Sequence, residues 1–372
     1  MPNGRKIKVL VIVPAMNVDS GVASFSMNYL RKLDRNKITV DFAIYKLHDT
    51  PYYDEIKELG GKIHLLPEIY SFRNHIKKCN EILDSGEYDI VHDNALTKSL
   101  PLMWCARKHN IPVRILHSHN ASLGDSKQKV LQSKIILSRL KNLSTKYFAC
   151  SDAAGKCYFG SQPYIIVPNV IEDSKYQYNP SLRENVRLGF GVENKTVICT
   201  IGRLAPQKNP YFALDVIKTL AQKHEGLEYW WIGTGSIEPD VREHAHRNGL
   251  DSIVTFLGAR KDMVELYHAA DIFFLPSLFE GLPVTGVEAQ AMGMPSVVSD
   301  TITKEMVYTD LVEYVPLDAP IESWVEIIEK QMKKIPERRS YTKELGNSVF
   351  SIENAGRRLE NLYEEMLDQA RK

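Results

Sequence analysis

Short apolar runs, rich in β-branched residues and lacking regular polar alternation, recur along the 372-residue chain. That pattern marks strands buried on both faces, the kind a parallel sheet uses. In the first half the runs are IKVLVIVP (7–14), VDFAIYK (40–46), KIHLL (62–66), YDIVHDN (88–94), VRILHSHN (113–120), YFAC (147–150) and YIIVPN (164–169). Most are separated by stretches of helical period, such as Asn28, Tyr29, Leu30 and Leu33 after Gly21, or residues 100–109. Helices alternating with buried strands predict βαβ units with right-handed crossovers.

The second half repeats the pattern with VICTIGRL (197–204), EYWWIG (228–233), IVTFLG (253–258), DIFFLP (271–276) and SVVSD (296–300). Residues 171–195 are polar and poorly patterned, and read as an interdomain connection carrying a short helix. After LVEYVPL the sequence is charged and helical to its end, with no further strand. The expected fold class is therefore α/β, with two Rossmann-like, doubly wound parallel-sheet domains at 1–170 and 171–372. A final helix at about 354–372 is expected to pack back on the first domain. Two such domains facing a central cleft bring their C-terminal strand ends together, so the loops that leave the strands decide the chemistry.

Composition narrows the picture. No apolar run approaches the roughly 18 residues of a membrane-spanning helix. Five cysteines, scattered and without a C-x-x-C pair, suggest neither a disulfide framework nor a zinc site. The N-terminus MPNGRKIKVLVIVPAMN enters a strand-like run without a signal peptide's apolar core, so cytoplasm is the expected location. The net charge of +1 conceals an asymmetry: residues 1–170 hold 24 Lys and Arg against 15 Asp and Glu, and residues 171–372 hold 23 against 31. The basic half is expected to meet an anionic surface or a phosphorylated substrate, not nucleic acid.

Two loops carry the strongest chemical signals. SLFEGLPVTGVEAQAMGMP (277–295) leaves the strand-like DIFFLP and enters a helix. Pro283 fits the first helical position, which leaves the N–H groups of Val284 and Thr285 as unpaired donors at a helix start, suited to phosphate. Glu280 lies in the loop, and Glu288, eight residues on and more than one turn into the helix, can accept hydrogen bonds from a diol such as a ribose. GRLAPQKNP (202–210) also follows a strand: Gly202 permits a tight turn, and Arg203 and Lys208 supply two cations that suit a diphosphate leaving group.

GRLAPQKNP followed by PSLFEGLPVTGVEAQAMGMPSVVSD resembles glycosyltransferase family 4, a retaining family of GT-B fold. IKVLVIVPAMN, SHN, IIVPN, WIGTGS and FLGARKDMVELYHAADIFFLPS occur in that family's order. LHSHN and SDTIT are most similar to bacterial exopolysaccharide and capsule enzymes. The resemblance implies that Arg203 and Lys208 hold a donor diphosphate and Glu288 the nucleotide ribose. Glu280, with the N–H groups of Gly281 and Leu282, would meet the donor sugar, while Val284 and Thr285 meet phosphate and Gly258 and Arg260 the base. In the first domain the family's glycine-rich loop corresponds to NVDSGVAS. Gly21 keeps the position of close backbone approach, but Ser20 stands near where the family has a further glycine, and its usual acidic residue is absent, which touches the acceptor side. His117 and His119 follow the strand VRIL on one side of it. The resemblance favours His117 as the imidazole that meets donor or acceptor, with His119 next in line.

The chain contains no Asp-x-Asp, the metal-binding signature of the other sugar-transferase class, so no metal and no cofactor is expected; the nucleotide sugar is a substrate. The family's retention implies front-face attack with the leaving phosphate as proton acceptor. Residues 126–148 carry six cations and no acid among apolar residues at helical spacing, which suits an anionic membrane surface and an acceptor on a polyprenyl diphosphate. A peripheral position on the inner face of the plasma membrane follows as an expectation. The alternatives are a nucleotide-sugar 2-epimerase of the same fold, against which both loops argue, and a silent partner subunit. The latter would be expected to lack one of Arg203, Lys208 or Glu280.

Overall fold

A computed structural model describes residues 5–18, 20–67, 71–124 and 126–372. Asp19 of the NVDSGVAS loop and the first four residues of the chain lie outside the described residues. The chain divides into two compact units, Met1–Val170 with Ile352–Lys372, and Ile171–Ser351.

In the first unit, strands β1 (Ile7–Ala15), β2 (Ile38–Lys46), β3 (Ile63–Leu65), β4 (Ile90–Asp93), β5 (Val113–Ser118), β6 (Lys146–Ala149) and β7 (Ile165–Ile166) form one parallel sheet. Their order is β3-β2-β1-β4-β5-β6-β7. Val9, Val11 and Val13 of β1 point into the same core as Phe25, Tyr29 and Leu30 of the helix Gly21–Lys32. β7 is shorter than the YIIVPN run suggests. Both its residues are solvent-exposed, and Pro168 just beyond has no N–H to extend the ladder.

The second unit holds β8 (Thr196–Ile201), β9 (Leu227–Ile232), β10 (Val254–Gly258), β11 (Ile272–Leu275), β12 (Ser296–Ser299) and β13 (Val312–Val315), again all parallel. The order is β10-β9-β8-β11-β12-β13. β13, within LVEYVPL, is absent from the strands read off the sequence. It is an edge strand whose first three residues are only half-buried, so it lacks a continuous apolar run. In each sheet the order reverses once, between β1 and β4 and between β8 and β11, and the loops at the carboxyl ends of those strands diverge to leave room for a ligand.

The second unit ends at Ser351 and not at Lys372. The last helix, Ala355–Arg371, puts Leu359, Tyr363, Met366 and Leu367 into the core of the first unit. Glu360 accepts a hydrogen bond from the Asp34 backbone, and a Cβ on Gly356 would lie 1.9 Å from the Lys32 carbonyl oxygen, so helix and backbone touch directly.

Candidate active site

The loops after β8 and β11 leave neighbouring strands at the switch point of the second sheet, and they are stitched together. Leu278 donates its N–H to the Gln207 carbonyl at 2.8 Å, and the Gln207 amide donates to the Phe279 carbonyl at 2.9 Å. Lys208 Nζ then lies 2.6 Å from Glu280 Oε1, with both side chains largely buried. Two residues with separate expected duties, one for diphosphate and one for sugar, thus form one ion pair. An ammonium has three donors, so Lys208 keeps capacity for a second anion.

Close backbone packing explains the glycine of GRLAP. A Cβ on Gly202, whose φ is 155°, would stand 2.7 Å from Lys208 Cε, so only glycine lets the lysine stem lie across the strand end. Behind it, Leu204 donates to the Thr234 carbonyl at 3.0 Å, and a Cβ on Gly235 would fall 1.8 Å from the Leu204 oxygen. The GTGS segment (233–236) therefore braces this loop. Arg203 is exposed and has no side-chain partner among the described residues.

The helix of the second loop runs from Val284 to Ala291, with Pro283 as its N-cap, one position earlier than the sequence suggests. The ψ of Pro283, 97°, is extended, and its carbonyl accepts from Gly286 at 2.9 Å and Val287 at 3.3 Å. The N–H groups of Val284 and Thr285 precede the first of those bonds and have no backbone acceptor among the described residues. They sit at the positive end of the helix dipole.

Glu288 is clamped by two groups that sequence reasoning missed. Tyr176, from the connecting segment, and Tyr267, from the helix Met263–Ala269, each donate a hydroxyl at 2.6 Å, one to each carboxylate oxygen. Burial raises the Glu288 pKa above the usual carboxylate range, and the two hydroxyls oppose that shift. The carboxylate is held in one orientation with lone pairs left for a further donor. Gly258, at a φ of 68°, accepts from Gly233 N–H at 2.8 Å. Arg260 is exposed and donates its Nε to Asp262 at 2.8 Å. Leu282 buries its side chain.

In the first unit Ser20 caps the helix Gly21–Lys32, its Oγ accepting from Ala23 N–H at 3.4 Å. A Cβ on Gly21 would meet nothing within 4 Å, so the protein's own atoms do not demand glycine there. The histidines depart from expectation. His117 and His119 share a side, with ring centroids 4.1 Å apart, but that side leads inward and His117 is 0% exposed. His92 on β4 exchanges a hydrogen bond with His117 at 3.0 Å and another with the Tyr363 hydroxyl at 2.7 Å. His117 is therefore enclosed, its Nδ1 bonded to His92 and its Nε2 without a hydrogen-bond partner among the described residues. His119, half-buried and bonded to Asn94 at 2.7 Å, is the accessible one. Burial depresses all three, His92 and His119 to about 3, so they are neutral at pH 7.

Two doubly wound parallel sheets, with paired loops at the switch point of the second, are the architecture of GT-B proteins. Anabaena HepE, solved in complex with UDP-glucose, superposes on this fold with a TM-score of 0.79, over 96% of this chain and 100% of that one, at 16% identity. Residues 195–330 match the family model described as Glycosyl transferases group 1. The chain is 30% identical over 356 residues to the putative glycosyltransferase EpsF of Bacillus subtilis, covering 92% of each. It is 24% identical, over 97% of its length and 98% of the other's, to an Escherichia coli protein named UDP-Gal:alpha-D-GlcNAc-diphosphoundecaprenol alpha-1,3-galactosyltransferase. The protein belongs to the group 1 glycosyltransferases and has the GT-B fold.

Proposed function

We propose that the protein moves a hexose-type sugar from a UDP-sugar to a saccharide acceptor carried on a polyprenyl diphosphate, with retention of anomeric configuration and without a metal ion. The setting is bacterial exopolysaccharide or capsule synthesis at the cytoplasmic side of the membrane. The observation that carries this reading is the joined pair of loops after β8 and β11, which hold Arg203, the Lys208–Glu280 pair and the N–H groups of Val284 and Thr285, without a backbone acceptor among the described residues. Support for the nucleotide and the acceptor comes from relatives: UDP-glucose occupies HepE, and the Escherichia coli protein is named for UDP-Gal and a diphosphoundecaprenol acceptor.

In this reading Arg203, Lys208 and the two N–H groups face the diphosphate, whose negative charge grows as the bond from the sugar's anomeric carbon to phosphate oxygen breaks. Glu288, oriented by Tyr176 and Tyr267, takes a ribose hydroxyl. Glu280 and the N–H groups of Gly281 and Leu282 take sugar hydroxyls, and Gly258 with Arg260 lies nearest the base. The acceptor oxygen bonds to the anomeric carbon on the face the phosphate leaves, and its proton passes to the departing phosphate oxygen. Glu280 is already neutralised by Lys208 and is poorly placed to act as a covalent nucleophile. The first unit takes the acceptor beside Ser20 and Gly21, with His119 as the contacting imidazole.

The test is transfer from α-linked UDP-sugars to a short polyprenyl-diphosphate saccharide in excess chelator, with product configuration read by NMR. An α-linked product at an undiminished rate is expected. A β-linked product overturns the front-face step, and loss of transfer in chelator overturns metal independence.

A further inference from the structure

The helix Lys127–Leu143 is packed along only part of its length. Its buried residues are Leu137, Leu140 and Leu143, all in the second half. At about 100° per residue, Leu131 points roughly opposite to the mean direction of those three, and Ile135 about 40° away from it. Leu131 and Ile135 are accordingly 62% and 55% exposed. On the wheel, Lys127, Lys134 and Arg139 flank this outward pair, and the helix contains no acidic residue.

The neighbouring helix, Leu100–Lys108, continues the surface. Arg107 reaches across to the Asn142 carbonyl at 3.3 Å, and Trp104, 45% exposed, has Lys108 Nζ 5.7 Å from its ring centroid. The two helices together carry seven cations and no acid. No helix among the described residues is long and apolar enough to cross a membrane. Exposed apolar side chains flanked by cations, with an exposed indole on the neighbouring helix, are the chemistry of a face that lies on anionic lipid. The aliphatic pair enters the acyl boundary, the cations meet headgroup phosphates, and the indole takes the interface.

We propose that this face docks the first unit on an anionic bilayer surface. The proposal deepens, and rests on, the reading that the acceptor is lipid-linked, since a bilayer-bound enzyme meets such an acceptor in two dimensions. A nucleic acid or acidic protein would use the cations but leave Leu131 and Ile135 in water.

The test is co-sedimentation of the full chain with phosphatidylcholine vesicles, with and without about one-third phosphatidylglycerol, alongside heparin retention and UDP titration. Wild type is expected to bind only the anionic vesicles. At about five-fold per cation, Lys127→Glu with Lys134→Glu and Arg139→Glu is expected to weaken binding on the order of 100-fold. Leu131→Ser with Ile135→Ser is expected to weaken it several-fold while leaving heparin retention and UDP affinity unchanged, which separates surface from folding. Vesicle binding equal in wild type and both variants, or absent in wild type, overturns the proposal. Loss on charge reversal with no effect of the serine pair makes the face a general polyanion site and also overturns it. If wild type binds vesicles but not UDP, the donor reading fails while the docking face stands.

Discussion

At the scale of single residues, the site is defined by which charges have partners. Arg203 is exposed and unengaged, whereas Lys208 and Glu280 neutralise one another in a mostly buried setting. Removing one member strands the other, so Lys208→Ala is expected to cost about 3–5 kcal/mol of stability in the second unit. Lys208→Met combined with Glu280→Gln should recover much of it. Tryptophan fluorescence in urea measures this well, because Trp230, Trp231 and Trp324 are all buried in that unit. Additive losses in the double variant would mean that the pair has no coupling. Tyr267→Phe takes away one of the two hydroxyls on Glu288, and an unsatisfied buried acceptor costs about 1–3 kcal/mol. An unchanged urea midpoint would show that the hydroxyl carries no weight.

At the scale of elements, the stacked histidines of β4 and β5 make a pH-sensitive seam. Their folded pKa values lie below the ordinary histidine value, so the stability they contribute is full above about pH 6.5 and is lost as pH falls towards 3. Across that window each imidazole held neutral in the fold weakens it progressively as the pH falls. Asp93, buried next to His92 and raised to about 7, has the opposite sign: its contribution is full below about pH 4 and is lost on the way up to 7. Between pH 4 and 6.5 three groups outweigh one, and the first unit is expected to weaken on acidification. Urea melts followed by circular dichroism at pH 5 and pH 7 check this, and equal or greater stability at pH 5 would contradict it. Elements also show what was legible in sequence. Strands buried on both faces, such as β1, β8 and β11, read as unbroken apolar runs, while the half-buried edge strand β13 does not. Period-two alternation gives His117 and His119 a shared side but not whether that side faces core or ligand, and only the family resemblance puts His117 first. The answer lay in His92, 25 residues earlier, and Tyr363, which is 271 residues from His92. Tyr176 and Tyr267 escaped notice for the same reason: Tyr176 meets Glu288 across 112 residues, and no local pattern announces such a contact.

At the scale of the whole molecule, the two units differ in how the chain builds them. The second is continuous, whereas the first is closed by a helix that arrives after the second is complete. Tyr363, Leu359 and Met366 fill the core beside Phe25, so a chain cut after Ser351 is expected to leave the first unit unfolded and rapidly proteolysed, with the second unit intact. Protease-resistant fragments from both units would contradict this. The features follow the same line: the loops legible as a family motif lie at the switch point of the second sheet, and the cationic helices Leu100–Lys108 and Lys127–Leu143 lie on the first unit. The proposed donor site requires the second unit's joined loops to hold a nucleoside diphosphate. Isothermal titration of UDP in metal-free buffer into wild type and Arg203→Ala tests it most directly, because Arg203 is exposed and has no side-chain partner among the described residues, so its removal is expected to leave the fold alone. A charge-assisted hydrogen bond is worth about 1.5–3 kcal/mol, so UDP should bind wild type and bind the variant about 10- to 100-fold more weakly. Identical affinities, or no UDP binding to wild type, would contradict it.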